Sequence, residues 1–110
     1  MRVYDLQDKT GRVYAFEVNN LFLVRRGACR VVRTIPNVNI LNSPKLLSWS
    51  SEDVFCVFEL SGQRFLILEP YGDNSRYWIE PEPPDFTELI SVVREAFEHA
   101  GIFGIARRSS

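Results

Sequence analysis

The chain has 110 residues, with 13 Lys and Arg against 14 Asp and Glu, and 45% of it is hydrophobic. This length fits one domain. The share of apolar residues excludes a disordered chain, in which hydrophobicity is low and net charge is high. The formal net charge of -1 provides no overall field toward nucleic acid or an anionic membrane. We expect a single domain over residues 1–110, and a flexible tail over residues 102–110 is one alternative for the end of the chain.

The N-terminal residues do not resemble an export signal. Residues 1–5 lack the apolar stretch that a signal peptide carries. No uninterrupted apolar run approaches the roughly 20 residues that a membrane span needs. The cytoplasm is therefore the expected location, with no membrane partner.

The two cysteines are expected to be buried free thiols. Cys29 falls on a predicted helix and Cys56 on a predicted strand, both among apolar neighbours, and free Cys is one of the most buried residue types. The alternative is a disulfide or a metal pair. Because His99 is the single histidine and there is no C-x-x-C spacing, the metal alternative is weak. We predict no metal site and no cofactor.

The first 18 residues predict a hairpin. Residues 2–6 form a short candidate strand, and the Asp-Lys-Thr-Gly sequence at 8–11 is a turn signal. Residues 12–18 alternate, as a half-buried strand does. The side that suits a core carries Tyr14, Phe16 and Val18.

A first helix is predicted over residues 20–34. Asn20 is a candidate N-cap, since an Asn side chain accepts a hydrogen bond from the first turn, and Pro36 disfavours helical geometry in the residue before it. The alternative is two strands broken at Arg26 and Gly27. The helix is favoured because, at about 100° per residue, the apolar positions fall within one arc of about 100°. These positions are Leu21, Val24, Ala28, Val31, Val32 and Ile35.

The middle of the chain, residues 54–79, predicts the centre of a sheet. Two runs rich in β-branched and aromatic residues, 54–60 and 64–69, are joined by a link at 61–63 that contains Gly62, which is typical of a hairpin. Residues 76–79 form a third run. Before this region, residues 38–41 and 45–49 are candidate short strands.

A second helix follows the Pro-Glu-Pro-Pro connection at residues 81–84. Asp85 is the predicted N-cap, with Glu88 in capping-box position, and Gly101 is the predicted C-cap. Residues 102–105 are apolar, and are expected either to add an edge strand or to fold back on the core. The apolar face of the helix carries Phe86, Leu89, Ile90, Val93, Ala96, Phe97 and Ala100.

The predicted order of elements is ββα-β-βββ-α. Short links between successive strands predict a mainly antiparallel sheet of about five to six strands, and two amphipathic helices predict a second layer on one face of it. This is an α+β domain. The strand order across the sheet does not follow from the pattern.

The central strands are apolar on both sides, although two helices can cover only one. In the first run, Phe55 and Val57 are expected on one side of the sheet and Val54, Cys56 and Phe58 on the other. In the second run, Phe65 and Ile67 are expected on one side and Leu66 and Leu68 on the other. The second face of the sheet must therefore meet loops, the tail or another molecule. We interpret it as a candidate binding surface.

The segment at residues 69–78 provides the candidate binding residues. It concentrates charged, amide, hydroxyl and aromatic side chains, and Tyr and Trp are enriched in interfaces. Gly, Asp, Asn and Ser also favour turns for reasons of their own, so a simple turn is the alternative. The candidates are Tyr71, Asp73, Arg76, Tyr77 and Trp78.

The first helix also carries basic residues outside its apolar arc. Arg26, Arg30 and Arg33 are candidate contacts for an anionic partner, and a solvated helix face is the alternative. Many acidic residues lie near the second helix, which makes nucleic acid an unfavoured partner. One basic and one acidic helix edge suit a protein partner or a complementary self-contact.

The chain lacks the common catalytic motifs: it has no G-x-S-x-G elbow, no P-loop and no G-x-G-x-x-G loop. His99, near the end of a helix, suits an interaction with the helix dipole. No catalytic residue is predicted.

The sequence therefore favours a small cytoplasmic, non-enzymatic protein-binding domain. Self-association as a homodimer through the second sheet face is one form of this function. A bacterial immunity-type protein, which blocks a toxin by covering it, is compatible with this size and charge. One alternative is a small-molecule-binding domain or enzyme with a pocket at residues 69–78. A weaker alternative is nucleic-acid binding through the arginine-bearing first helix.

Overall fold

The structure is a computed structural model that describes residues 2–19, 25–42, 54–69 and 76–106. Within these residues the elements follow the predicted order and form one antiparallel sheet with two helices, which confirms the α+β class. The elements are β1 (Val3–Gln7), β2 (Val13–Asn19), α1 (Arg25–Arg33), β3 (Asn39–Asn42), β4 (Val54–Leu60), β5 (Gln63–Leu68), β6 (Arg76–Glu82) and α2 (Ile90–Ala106).

The order of strands across the sheet is β1-β2-β6-β5-β4-β3. β6 lies between the N-terminal hairpin and the β4–β5 hairpin, and pairs antiparallel with both β2 and β5. It thereby joins the beginning of the chain to its middle. As a result, residues far apart in sequence, such as Glu17 and Trp78, stand directly opposite each other.

The link between β4 and β5 is a two-residue turn. Leu60 pairs with Gln63, and the two residues between them have positive φ angles, 52° at Ser61 and 81° at Gly62. Two such angles are the signature of a type I′ turn, whose twist matches that of the flanking strands. Gln63 therefore belongs to β5, and the link is one residue shorter than predicted.

Both helices pack on the same face of the sheet, called the core face below. Phe16 of β2 and Phe97 of α2 meet edge to face there, with ring centroids 5.7 Å apart. This arrangement confirms the predicted two layers with both helices on one side. The buried cluster includes Phe16, Val18, Phe58, Phe65, Ile67 and Ile79 from the strands, and Ala28, Val32, Val93 and Phe97 from the helices.

A bulge in β4 changes the predicted division of its side chains. The pairing register shifts between Val54 and Cys56. Phe55 and Cys56 are consecutive, yet both are buried. A bulge allows this because it breaks the alternation of a regular strand. Val57 is partly exposed and lies on the side opposite Phe58. In β5, Phe65 and Ile67 lie on one side and Leu66 and Leu68 on the other, as predicted.

The predicted ends of α2 are wrong. The helix begins at Ile90 rather than after Asp85, and the Leu89 N–H donates a hydrogen bond of 3.3 Å to the Thr87 hydroxyl. Thr87 therefore supplies the side-chain acceptor near the helix start that was assigned to Asp85. At the other end the helix continues through Gly101 to Ala106, so residues 102–106 form neither a strand nor a turn back. An interior Gly costs about 1 kcal/mol relative to Ala, which a packed helix tolerates.

Some sequence predictions fall outside the described residues. These are the Asn20 cap, the start of the first helix before Arg25, the candidate strand at 45–49, the loop at 70–75 and the last four residues. The strand predicted at 76–79 is longer than expected, because β6 continues through Pro81 to Glu82.

Candidate protein-binding face

The candidate site is the face of the sheet opposite the helices, called the outer face below. In a strand, successive side chains point to opposite sides, so the residues that alternate with the core residues form this face. None of the described helices packs over it. Its residues from the five strands β1, β2, β4, β5 and β6 are Tyr4, Leu6, Ala15, Glu17, Val54, Val57, Glu59, Arg64, Leu66, Leu68, Arg76, Trp78, Glu80 and Glu82.

Apolar side chains form a strip along the middle of the outer face. Leu68 pairs with both Val54 and Trp78, and Leu66 pairs with Val57. All five side chains are partly exposed. Directly opposite residues on one face are in contact range, so these residues form a continuous apolar surface across β4, β5 and β6. This strip ends at the indole of Trp78.

A charged row borders the apolar strip on the side of the β4–β5 turn. Arg64 pairs with Glu59 on one side and with Glu82 on the other. The Arg64 Nη1 lies 3.8 Å from the Glu82 Oε1, and both side chains are about half exposed. An exposed pair at this distance contributes little to stability, so these charges stay available to a partner.

Arg76, Tyr4 and Glu17 form a compact group at the other border, called the Arg76 cluster below. The Arg76 Nη1 lies 2.9 Å from the Glu17 Oε1, and its guanidinium stacks 3.7 Å from the centroid of the Tyr4 ring. Arg2 approaches the same ring at 5.3 Å. The ion pair and the stacking hold the long Arg76 side chain in place while 40% of it stays exposed. It is therefore a preorganised cation on the outer face.

Trp78 and Glu80 lie next to each other on the outer face, two residues apart in β6. The Trp78 Nε1 is buried and makes no hydrogen bond of good geometry to any residue that the structure describes. Burial raises the pKa of the Glu80 carboxyl above its ordinary value, and the nearby Trp78 indole offsets part of this rise. The two side chains therefore form one polar pair at the end of the apolar strip.

The structure separates the predicted site residues. Arg76 and Trp78 lie on the outer face, but Tyr77 between them points to the core face, where it is 4% exposed. Its ring lies 4.9 Å from that of Phe55. Tyr77 is therefore not accessible to a partner, which corrects the prediction for this residue. Tyr71 and Asp73 lie outside the described residues.

Sequence reasoning missed Tyr4, Glu17 and Glu80. Glu80 was identifiable from the two-residue alternation of β6, which places it on the side of Trp78. No local signal linked Tyr4 or Glu17 to Arg76, because their proximity depends on β6 pairing with β2.

The predicted arginine contacts lie on the opposite layer. Arg30 and Arg33 are exposed on α1, on the helix side of the sheet, and the side chain of Arg26 lies outside the described part of the structure. They therefore cannot act together with the outer face on one small ligand.

Cys29 and Cys56 are buried free thiols, as predicted. They contact each other, and their hydrogen bond together with burial raises the pKa of Cys56. Cys56 therefore stays protonated at neutral pH, and a protonated thiol is a poor nucleophile. Among the described residues, no group of three or more His, Cys, Asp or Glu side chains is placed to hold a metal ion. No described helix has the length and apolar character needed to cross a membrane.

No protein-family model, curated protein or solved structure matches the chain. The function is therefore inferred from the geometry of the described residues alone.

Proposed function

We propose that the protein is a non-enzymatic protein-binding domain and that the outer face is its binding surface. The observation that carries this proposal is the apolar strip that ends at Trp78 and lies beside the Arg76 cluster, with no described helix over it. Trp, Tyr and Arg are the residue types that most often dominate binding energy at protein interfaces.

The Arg76 cluster supports the proposal through its rigidity. Binding costs free energy for each long side chain that must be ordered. Arg76 is already held by Glu17 at 2.9 Å and by the Tyr4 ring. The Arg76 side chain therefore loses little further conformational entropy when a partner contacts it.

The charges on the outer face indicate the chemistry of the partner. Across β4, β5 and β6, three carboxylates, Glu59, Glu80 and Glu82, stand against two cations, Arg64 and Arg76, and Arg76 is already paired with Glu17 of β2. We propose that the partner is a different protein that presents apolar side chains flanked by Lys or Arg. A cation beside Glu80 would stabilise the ionised carboxylate that burial now disfavours.

The test is to capture a partner from a lysate of the cell of origin, purify it and titrate it by calorimetry. Trp78→Ala and Arg76→Ala should each weaken its binding by about tenfold or more, since truncated hot-spot residues lose this much. Arg12→Ala is the matched control. The Arg12 guanidinium also stacks on an aromatic ring, Phe86 at 4.5 Å, and lies 3.6 Å from the Asp8 carboxylate, away from the outer face.

The control variant should bind the purified partner as the wild type does. A purified partner that binds Trp78→Ala and Arg76→Ala as tightly as wild type would overturn the proposal. Melting curves on all variants separate lost contacts from lost folding.

The proposal includes a cytoplasmic location, where the thiols of Cys29 and Cys56 stay reduced. The other hypotheses from the sequence stay predictions: an immunity-type role, a pocket at residues 69–78, nucleic-acid binding through α1, and self-association through the outer face. Binding to DNA or RNA at low salt, lost steeply as salt rises, would favour the nucleic-acid hypothesis.

A further inference from the structure

The helix layer carries a second surface that the proposed function does not use. A groove of about 440 Å³ runs between α1 and α2, and Val31, Pro36, Val92 and Ala96 contribute to its lining. Val92 is 41% exposed, which is high for a large apolar residue on a helix that also carries core residues. Within the described part of the chain, no element fills this groove.

The charges beside the groove have opposite signs on the two helices. α1 has basic residues and no acid, and its Arg30 is exposed. On α2, Glu95 is exposed and lines the groove, and Glu88, just before the helix, is exposed as well. At 3.6 residues per turn, Glu88, Val92 and Glu95 lie along one side of α2. The layer therefore presents the cation of Arg30, an apolar groove and the carboxylates of Glu88 and Glu95 side by side.

We propose that this surface binds a second copy of the chain and forms a two-fold symmetric dimer. A two-fold axis that runs along the groove places α1 of one copy over α2 of the other, and the reverse. Arg30 of each copy then faces Glu95 of its partner, and the two Val92 side chains enter the shared groove. The surface is complementary to itself in both charge and shape, which is the requirement of an interface that uses the same patch twice.

The proposal is independent of the outer face. When the helix layers meet, both outer faces point away from the dimer and stay accessible. Loss of the dimer therefore leaves the proposed partner surface intact, and the two proposals fail or hold separately.

The test is sedimentation velocity over a range of concentrations, with charge-reversed variants. Arg30→Glu and Glu95→Lys each place like charges at both contacts, so each variant alone should dimerise at least about tenfold more weakly than wild type. An equimolar mixture of the two variants should form a heterodimer of wild-type strength, because both contacts are then again between opposite charges.

Arg33→Glu is the matched control, since it makes the same charge change on the same helix. Arg33 lies three residues after Arg30 and is rotated about 60° from it, away from the groove. This variant should dimerise as the wild type does. A wild-type chain that stays monomeric at 100 µM, on the order of the concentration at which weak dimers form, would overturn the proposal. So would a dimer that both charge reversals leave unchanged and that Trp78→Ala abolishes, because it would use the outer face.

Discussion

Glu80 is a carboxyl group in a site that disfavours its charge. Burial raises its pKa above the ordinary value, and the Trp78 indole offsets part of that effect. The folded chain therefore holds this proton more tightly than the unfolded chain does. The stabilisation from the protonated form is complete below the unfolded pKa, and it is lost as the pH rises through the folded pKa.

We expect Glu80→Gln to remove this pH dependence, because Gln has a similar shape and does not titrate. Relative to wild type, the variant should gain stability as the pH rises through the folded pKa of Glu80. The gain should be absent below about pH 4, where the unfolded carboxyl is also protonated. Urea unfolding at several pH values measures it. A stability difference that does not change with pH would contradict this account of Glu80.

The sequence predicted some of the individual site residues and missed others. Trp78 and Arg76 stood out as interface residue types, and the alternation of a strand was sufficient to place Tyr77 on the other side, where it packs against Phe55. The contacts of Arg76 with Tyr4 and Glu17 were beyond prediction, because those residues are distant in sequence and meet through strand pairing.

At the scale of elements, one ion pair ties α2 to the edge strand β1. The Arg94 Nε lies 2.6 Å from the Asp5 Oδ1, and the Nη2 lies 3.1 Å from the Oδ2. This two-pronged geometry is the favourable one for an Arg–carboxylate pair. The hydrogen bond with Asp5 raises the pKa of Arg94, so the guanidinium stays charged.

A double-mutant cycle on Asp5→Asn and Arg94→Met should give a coupling of about 0.5–1 kcal/mol, the upper range for partly exposed pairs. The same cycle on Arg64 and Glu82 is the control, because that pair is 3.8 Å apart and more exposed. Its coupling should be near zero. Urea unfolding gives all the free energies. Equal coupling energies for the two pairs would show that the two-pronged geometry of the Asp5–Arg94 pair does not strengthen its interaction.

The helices show where sequence patterns succeed and where they fail. The apolar face of α2 was predicted because it repeats over several turns and buries Ile90, Val93 and Phe97. Its ends were predicted wrongly, because each depends on one local competition. Thr87 rather than Asp85 accepts the bond near the start, and Gly101 fits inside the helix as well as at its end.

At the scale of the whole molecule, the two layers put two surfaces on opposite sides. The element order and the single helical layer followed from periodicity, since helices that are apolar on one side must cover a sheet. The position of β6 between β2 and β5 did not follow, because pairings between distant strands leave no local signal. In the account proposed here, the helix layer binds a second copy and the outer face binds a different protein.

The proposed binding surface requires that solvent reaches the outer face, and this accessibility can be measured without any partner. Methyl NMR with an uncharged, soluble gadolinium chelate reports which leucines the solvent reaches. Leu66 and Leu68 should relax severalfold faster than Leu60, which is 4% exposed on the core face. Equal, slow relaxation of all three leucines would show that the outer face is covered, and would contradict the proposed binding surface.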